Sequence, residues 1–492
     1  MNSNTITILV FIASLLLTFG AVLLARLRNN VDHSEDDLAG RKLNRWMIGL
    51  SAATTGNSGF IVTGAVGLGY AYGAHWLLLP LSWLLGDLLF WRIFPERLNA
   101  LARKAKATTL SEALTYDLQG NAAKWISVVV AILLVTFLAT YTSSQWLAGK
   151  KFLSGVFALD DFTALLLFSA TIVAYSSLGG FRGSVYADVL QAFIRILGTT
   201  VALVAVTWFA ITNSAAFQVN IQAAGPDFLS LFGSGSIFSI VGFVGGFALA
   251  AVGFGLGQPQ IVTRYMAGSS PAETKAAWWI YIGFLQFTWI SMTVFGMVLR
   301  GVMPGLADPE TGLSLFFQQN IGAVATGIIF ADIYATIAST SNGIIVAIAQ
   351  TLQRDILVKV FHMRKGDSSH KGSVTFVLGV ITILLSFVLP GNVFSIAVDS
   401  ISKIGAGIAG PMIIKTLGWR HTANSLLLSI LSGIGSAYLW SSAGFGSTFN
   451  EAGIGIACSL LVNWIATRVS HEPIHSAIDP VLNNSGVPDQ AK

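Results

Sequence analysis

The chain has 492 residues, 54% of them hydrophobic and only 10% charged, with a net charge of +5 and a mean hydropathy of +0.70. A soluble protein would carry about a quarter charged residues, so composition excludes a soluble globular domain. A membrane β-barrel would show alternating segments of about 10 residues, whereas the apolar runs here are about twice as long. The chain reads as an all-α, polytopic membrane protein. Its 50 glycines suit closely packed helices. One cysteine, Cys458, excludes an intrachain disulfide and a cysteine metal cluster.

Thirteen spans are predicted, at about 5–25, 46–72, 74–95, 122–148, 161–178, 184–212, 236–258, 276–300, 323–352, 373–390, 393–414, 422–442 and 451–468. No Lys or Arg precedes the first and no cleavage site follows it, so it reads as a retained helix rather than a signal peptide. The second has a polar, glycine-broken centre, Thr54-Thr55-Gly56-Asn57-Ser58-Gly59. Irregular backbone at membrane depth persists only where it lines a cavity or is buried in protein. A broken helix near the midplane exposes carbonyls to an ion or solute, so this segment points to transport.

The seventh span is also interrupted, by Gly242, Gly245, Gly246, Gly253, Gly255 and Gly257, and ends at Gln258-Pro259. Breaks opening each group of five spans suggest two inverted repeats, about 46–212 and 236–414, around a central site. Glycines also serve close helix packing, which leaves a second explanation for this span. The ninth span carries Ser339-Thr340-Ser341-Asn342. Hard cations prefer oxygen ligands, and two hydroxyls with carbonyls freed at a helix break suit sodium. Interhelical hydrogen bonding is the alternative use of such a run.

Alternate loops separate by charge. Arg26, Arg28, Arg41, Lys42 and Arg45 follow the first span; Arg92, Arg97, Arg103, Lys104 and Lys106 lie at and beyond the end of the third; Arg354, Lys359, Arg364, Lys365 and Lys371 follow the ninth. Loops 213–235 and 301–322 have no Lys or Arg. The positive-inside rule puts the N-terminus outside and the C-terminus in the cytoplasm. Residues 1–470 form one transmembrane unit, and 471–492 read as a disordered tail. His471 and His475 there have the spacing of a metal pair, but Pro473 and the lack of partners favour a solvated tail. Asp87, Arg195 and Asp332 fall inside spans, Asp332 seven residues before Ser339 and so positioned to line an outer approach to it. Asp399 and Lys403 stand at i,i+4 and can pair, for structure or for function.

Several stretches resemble the sodium/solute symporter family, nearest to its sodium/proline branch. They are Arg45–Gly73, Ala174–Arg182 (AYSSLGGFR), Gly253–Ala267 (GFGLGQPQIVTRYMA) and Ala335–Ile356. The resemblance covers about residues 40–420 and implies a five-plus-five inverted-repeat, APC/LeuT-like core. By resemblance, Ser339 and Thr340 are hydroxyl ligands for sodium, Thr336 gives a carbonyl from the same helix, and Thr54 and Asn57 give carbonyls from the broken second span. Asp188 matches an acidic residue of the sodium pathway; a carboxylate capping a helix N-terminus is its other reading. Tyr141 matches a pocket tyrosine. The chain departs from the branch at Gly56, where an acidic residue is expected, and at Ala251 and Gly255, where aromatics are expected. The loss of the aromatics at Ala251 and Gly255 argues for a bulkier or differently shaped solute, and Gly56 leaves sodium to neutral oxygens in this segment and to acids elsewhere, Asp188 first among them.

The expected protein is a sodium-coupled symporter of a bacterial inner membrane, importing a small amino acid such as proline, or a small carboxylate, by alternating access. Solute is expected beside Ser58, Gly59, Tyr141, Gly255 and Gln258. Sodium is the co-transported ion, membrane lipid surrounds the chain, nucleic acid is not expected as a partner, and oligomeric state is open. A sensor or channel-like protein on the same fold is the alternative. No paired aspartates or Ser/His set at membrane depth supports a hydrolase, so an enzyme is not expected.

Overall fold

The computed structural model describes residues 2–27, 36–118, 120–233, 235–363, 369–389 and 393–475. The helices run α1 (Ser3–Leu27), α2 (Arg45–Val62), α3 (Gly64–Tyr72), α4 (Leu78–Ile93), α5 (Pro95–Lys104), α6 (Leu110–Thr115), α7 (Gly120–Phe157), α8 (Asp161–Thr212), α9 (Ser214–Ala223), α10 (Ile237–Gly257), α11 (Pro259–Met266), α12 (Pro271–Ala276), α13 (Trp278–Val302), α14 (Gly312–Asn320), α15 (Ala323–Thr351), α16 (Ser369–Ser386), α17 (Val393–Thr416), α18 (Ala423–Ser442) and α19 (Glu451–Val469). Many begin at residues that satisfy free N–H groups. Asn44, Thr109, Asp160, Ser236, Ser270 and Asn450 each accept a first-turn backbone N–H, and Thr422 with Ser425 forms a full capping box.

Among the described residues, ten helical stretches are long and apolar enough to cross a membrane. Three features separate this from the expected thirteen. α8 carries two expected spans in one 52-residue helix, bent at Gly180 (φ 54°, ψ −157°). The apolar part of α16, Gly372–Ser386, is shorter. α2, with its polar centre, does not qualify as an apolar span at all.

Each half opens on an interrupted helix. α2 breaks at Ser58, and α10 gives way to α11 at Gln258 (φ −88°, ψ 106°). The second break comes from Pro259, which lacks an N–H and drives the preceding residue out of the helical region. The glycines of α10 do not break it. Gly253 approaches Gly405 on α17, and a Cβ at Gly255 would stand 2.7 Å from the ring of Phe90. They are packing residues.

The polarity is arranged inside-out relative to a soluble protein. Peripheral helices present large apolar side chains outward, such as Leu16, Trp208 and Leu439. α2 and α15 lie in the interior with their hydroxyls buried. The Arg/Lys-rich loops gather at one end, the basic face. There Arg41 donates to the carbonyls of Met266 (3.1 Å) and Ala107 (2.6 Å), Arg103 to Gly268 (2.6 Å), and Asn99 to Tyr265 (2.8 Å). Two cationic side chains thereby meet the C-terminal end of α11, where carbonyls lack helical partners.

The start of the C-terminal segment is paired rather than free. His421 and His475 exchange backbone hydrogen bonds of 2.9 and 2.8 Å, and their rings stack. Residues 476–492 of the expected tail lie outside the described residues. Beside this bridge, Asp117 pairs with Lys415 and, at 3.1 Å, with His421 Nε2. Burial raises the Asp117 carboxyl, but the His421 hydrogen bond and the Lys415 charge outweigh it and hold it below the usual range. A lowered folded value means this contribution is present above about pH 4 and is lost as pH falls further. The gap in thermal midpoint between the wild type and Asp117→Asn should therefore begin to narrow as pH falls below about 4 and go on narrowing on further acidification. A gap that widened on acidification would contradict the assignment.

Candidate functional site

Ser58 holds φ 53° and ψ 166°, a conformation rare for a side-chain-bearing residue. Such strain costs about 1–3 kcal/mol and persists where surrounding structure enforces it. Three N–H groups at the break are met by side chains. Ser58 N–H donates to Thr340 Oγ1 (3.0 Å), Gly59 N–H to Gln145 Oε1 (2.8 Å), and Phe60 N–H to Ser58 Oγ (3.2 Å).

The carbonyls before the break turn to α15. The Ser339 hydroxyl lies 3.1 Å from the Thr54 carbonyl and 3.0 Å from that of Thr336. The Thr340 hydroxyl donates to the Thr55 carbonyl at 2.8 Å. Three carbonyls and two hydroxyls, on residues no more than 1% exposed, thus converge where α2 meets α15. A hydroxyl can rotate its hydrogen away and offer a lone pair, so the same oxygens can turn toward a hard cation. Thr54 Oγ1, on a residue of this cluster, is buried without a protein partner, which fits a site that accepts an ion. Among the described residues no group of three or more His, Cys, Asp or Glu could hold a metal, so the set is one of neutral oxygens.

The structure brings Thr54, Thr336, Ser339 and Thr340 together. The Asn57 side chain donates to Thr288 Oγ1 at 2.8 Å, and the residue borders the neighbouring cavity. Thr55, not among the expected ligands, contributes a further carbonyl and also links to Asp188. Its hydroxyl donates to Asp188 Oδ2 at 3.1 Å, which also accepts from Ser51 (2.6 Å) and Arg264 Nη2 (2.7 Å). Arg264 further donates to Ser51 (2.6 Å), Ser184 (2.9 Å) and the Gln260 carbonyl. Asp188 is therefore neither an open pathway group nor an N-terminal cap in this conformation. It lies two turns beyond the Gly180 bend, fully buried, in an ion pair joining α2, α8 and α11. Neither Arg264 nor Gln145 is among the residues expected from the sequence; the signals that mark them are an arginine just after a broken span, where charge is costly, and the polar run Thr142–Gln145 in an apolar helix.

On the other side of the Ser58 break lies a cavity of about 50 Å³, walled by Phe60, Trp83, Phe254, Trp289 and Phe394, with Asn57, Ser58 and Tyr141 as its polar edge. The rings pack edge-on or tilted, with Trp83–Trp289 and Phe60–Trp289 centroids both 5.6 Å apart. No Asp, Glu, Lys or Arg lines it. Of the expected solute residues, Ser58 and Tyr141 border this cavity. Gly59, Gly255 and Gln258 do not line this cavity: Gly59 faces Gln145 and Ala148, Gly255 abuts Phe90, and Gln258 is buried against Gln260. Nor do the departures at Ala251 and Gly255 leave room for a bulkier solute: Ala251 is fully buried against α4 at Gly86, and Phe90 fills the space at Gly255. Asp399 and Lys403 do pair, neither of them lining the cavity, with Lys403 over the ring of Tyr438. Asp332 lines no open approach either; it is wholly buried and bound to Arg195.

The family model described as sodium:solute symporter family matches residues 38–433. The high-affinity proline transporter PutP of Bacillus subtilis (strain 168) is 24% identical over 460 residues, which cover 90% of this chain and 94% of that protein. The sodium/pantothenate symporter of Escherichia coli (strain K12) is 25% identical over 438 residues, covering 87% and 88%. Among solved structures, a sodium-coupled sialic acid symporter in a substrate-bound outward-open state superposes with a TM-score of 0.78 at 17% identity, over 97% of this chain and 100% of that one. The core accordingly has the five-plus-five inverted-repeat, LeuT-like fold, in which α2–α3 and α10–α11 are the two interrupted helices.

Proposed function

The chain belongs to the sodium:solute symporter family and couples solute uptake to sodium, and on that footing we propose which residues do so and for what kind of solute. The carrying observation is the Ser339 hydroxyl set between the Thr54 and Thr336 carbonyls at a helix break. Sodium is held by the carbonyls of Thr54, Thr55 and Thr336 and the hydroxyls of Ser339 and Thr340. Neutral oxygens bind such an ion firmly enough to load it and weakly enough to release it. Each sodium entering down the membrane potential contributes about 2.3 kcal/mol per 100 mV, besides its concentration gradient.

The solute is a compact organic molecule of amino-acid or small-carboxylate size. Its apolar part lies against Trp83, Phe254 and Trp289, and its polar end meets Asn57, Ser58 and Tyr141. The present cavity is too small for such a molecule, so it enters when the aromatic wall parts on one side of the membrane. The basic face is cytoplasmic, with the N-terminus outside, as the charge of the loops supports. No covalent step is part of this cycle.

Uptake of radiolabelled proline and of pantothenate into proteoliposomes tests the reading. Accumulation of at least one solute is expected under an inward sodium gradient, lost when choline replaces sodium. Accumulation indifferent to that replacement would overturn it.

A further inference from the structure

A second buried ion pair lies on the two helices that carry Asp188 and Ser339. Arg195 follows Asp188 by seven residues on α8, and Asp332 precedes Ser339 by seven on α15, so each is about two turns away on a similar face. The pair therefore stands on the opposite side of the oxygen cluster from Arg264 and Asp188. Arg195 Nη1 donates to Asp332 Oδ1 at 2.8 Å, and the two side chains are 1% and 0% exposed.

The pair reaches the oxygen cluster through one residue. The Thr336 hydroxyl donates to the Asp332 carbonyl at 2.8 Å and lies 3.3 Å from its carboxylate. The Thr336 carbonyl in turn accepts from Ser339, and Ser339 touches Thr54. A continuous chain thus runs from Arg195 to the broken helix. α8 also makes room for it: a Cβ on Gly198 would stand 2.4 Å from Asp332 Cβ and 2.5 Å from Oδ2. Only glycine lets the carboxylate lie against the α8 backbone.

As a stabilising device the pair is poorly built. Arg195 Nε and Nη2, Asp332 Oδ2 and the neighbouring Thr199 hydroxyl are buried without protein partners. Buried pairs with unmet hydrogen-bonding groups are commonly no better for stability than apolar replacements. Stability alone therefore does not account for it, whereas its connection to Thr336 gives it a task.

We propose that Arg195, Asp332 and Gly198 are positioning residues of the sodium site. They set the register of α8 against α15 and hold the turn at Thr336 so that its carbonyl and the Ser339 hydroxyl face Thr54. The inference rests on the sodium reading of those oxygens.

The test titrates sodium against uptake in proteoliposomes and against the thermal midpoint of the purified protein. It uses wild type, Gly198→Ala and the neutral double variant Arg195→Met/Asp332→Asn. Gly198→Ala keeps both charges and displaces Asp332; the double variant removes both charges without stranding either. In each, the sodium concentration for half-maximal effect should rise about tenfold, as expected when a hydrogen bond to a charged group loses its alignment. The solute KM at saturating sodium should stay within about twofold of wild type, a separation that general loosening of the fold does not produce. An unchanged sodium constant in either folded variant overturns the proposal. A wild-type protein without any sodium response overturns the symporter reading instead, so the two failures are distinct.

Discussion

Arg264→Met should abolish sodium-driven accumulation and lower stability by about 3–5 kcal/mol, the cost of stranding one partner of a buried ion pair. In the native protein the guanidinium meets Asp188, Ser51, Ser184 and the Gln260 carbonyl at once. Removing it leaves the Asp188 carboxylate buried with two hydroxyl donors, Ser51 and Thr55. The loss bears on transport as well as on folding. Arg264 joins α11 to α2 and α8 beside the oxygen cluster, so its loss should disturb the sodium site proposed there. Arg264→Met/Asp188→Asn should recover most of the stability and none of the coupled uptake. Thermal unfolding and proteoliposome uptake on the same preparations decide this. A single Arg264→Met variant with native stability and native accumulation would be incompatible with the arrangement.

Ser339→Ala with Thr340→Val should weaken sodium activation by about 100-fold, roughly tenfold for each hydroxyl lost to a charged partner. The two side chains make different contacts. Ser339 bridges the Thr54 and Thr336 carbonyls, while Thr340 both donates to the Thr55 carbonyl and accepts the Ser58 N–H. Thr340→Val alone should therefore also destabilise the strained turn at Ser58, and Ser339→Ala alone should act mainly on the ion. Sodium titration of the thermal midpoint separates the two effects. A sodium response of wild-type size in the double variant is the result that the assignment does not survive.

The helices, the family and the hydroxyls of α15 that meet the broken helix are legible along the chain because each rests on local chemistry. About twenty apolar residues make a span, Pro259 ends α10, and Ser339-Thr340 stands out as consecutive hydroxyls in an apolar helix. The places where reading along the chain goes astray are those where the outcome depends on a distant partner. The glycines of α10 look like a helix break in isolation. Opposite Gly405 and Phe90 they are close-packing positions. The missing aromatic at Gly255 looks like added room, and the ring of Phe90 fills it.

What the sequence by itself determined is the class of protein, the position of the two interrupted helices, and the hydroxyls that face the first of them. Those follow from backbone rules and from the cost of polar groups in hydrocarbon, which act within a turn or two. Only the tertiary structure decided that Thr55 ties the oxygen cluster to Asp188, that Arg264 locks that carboxylate, that Arg195 holds Asp332, and that a closed aromatic wall forms from five separate helical segments. A buried charge must find an opposite charge, and a ring must find a surface to fill. In a bundle whose helices all read alike to hydropathy, which partner each one finds is set by how the helices are laid against one another.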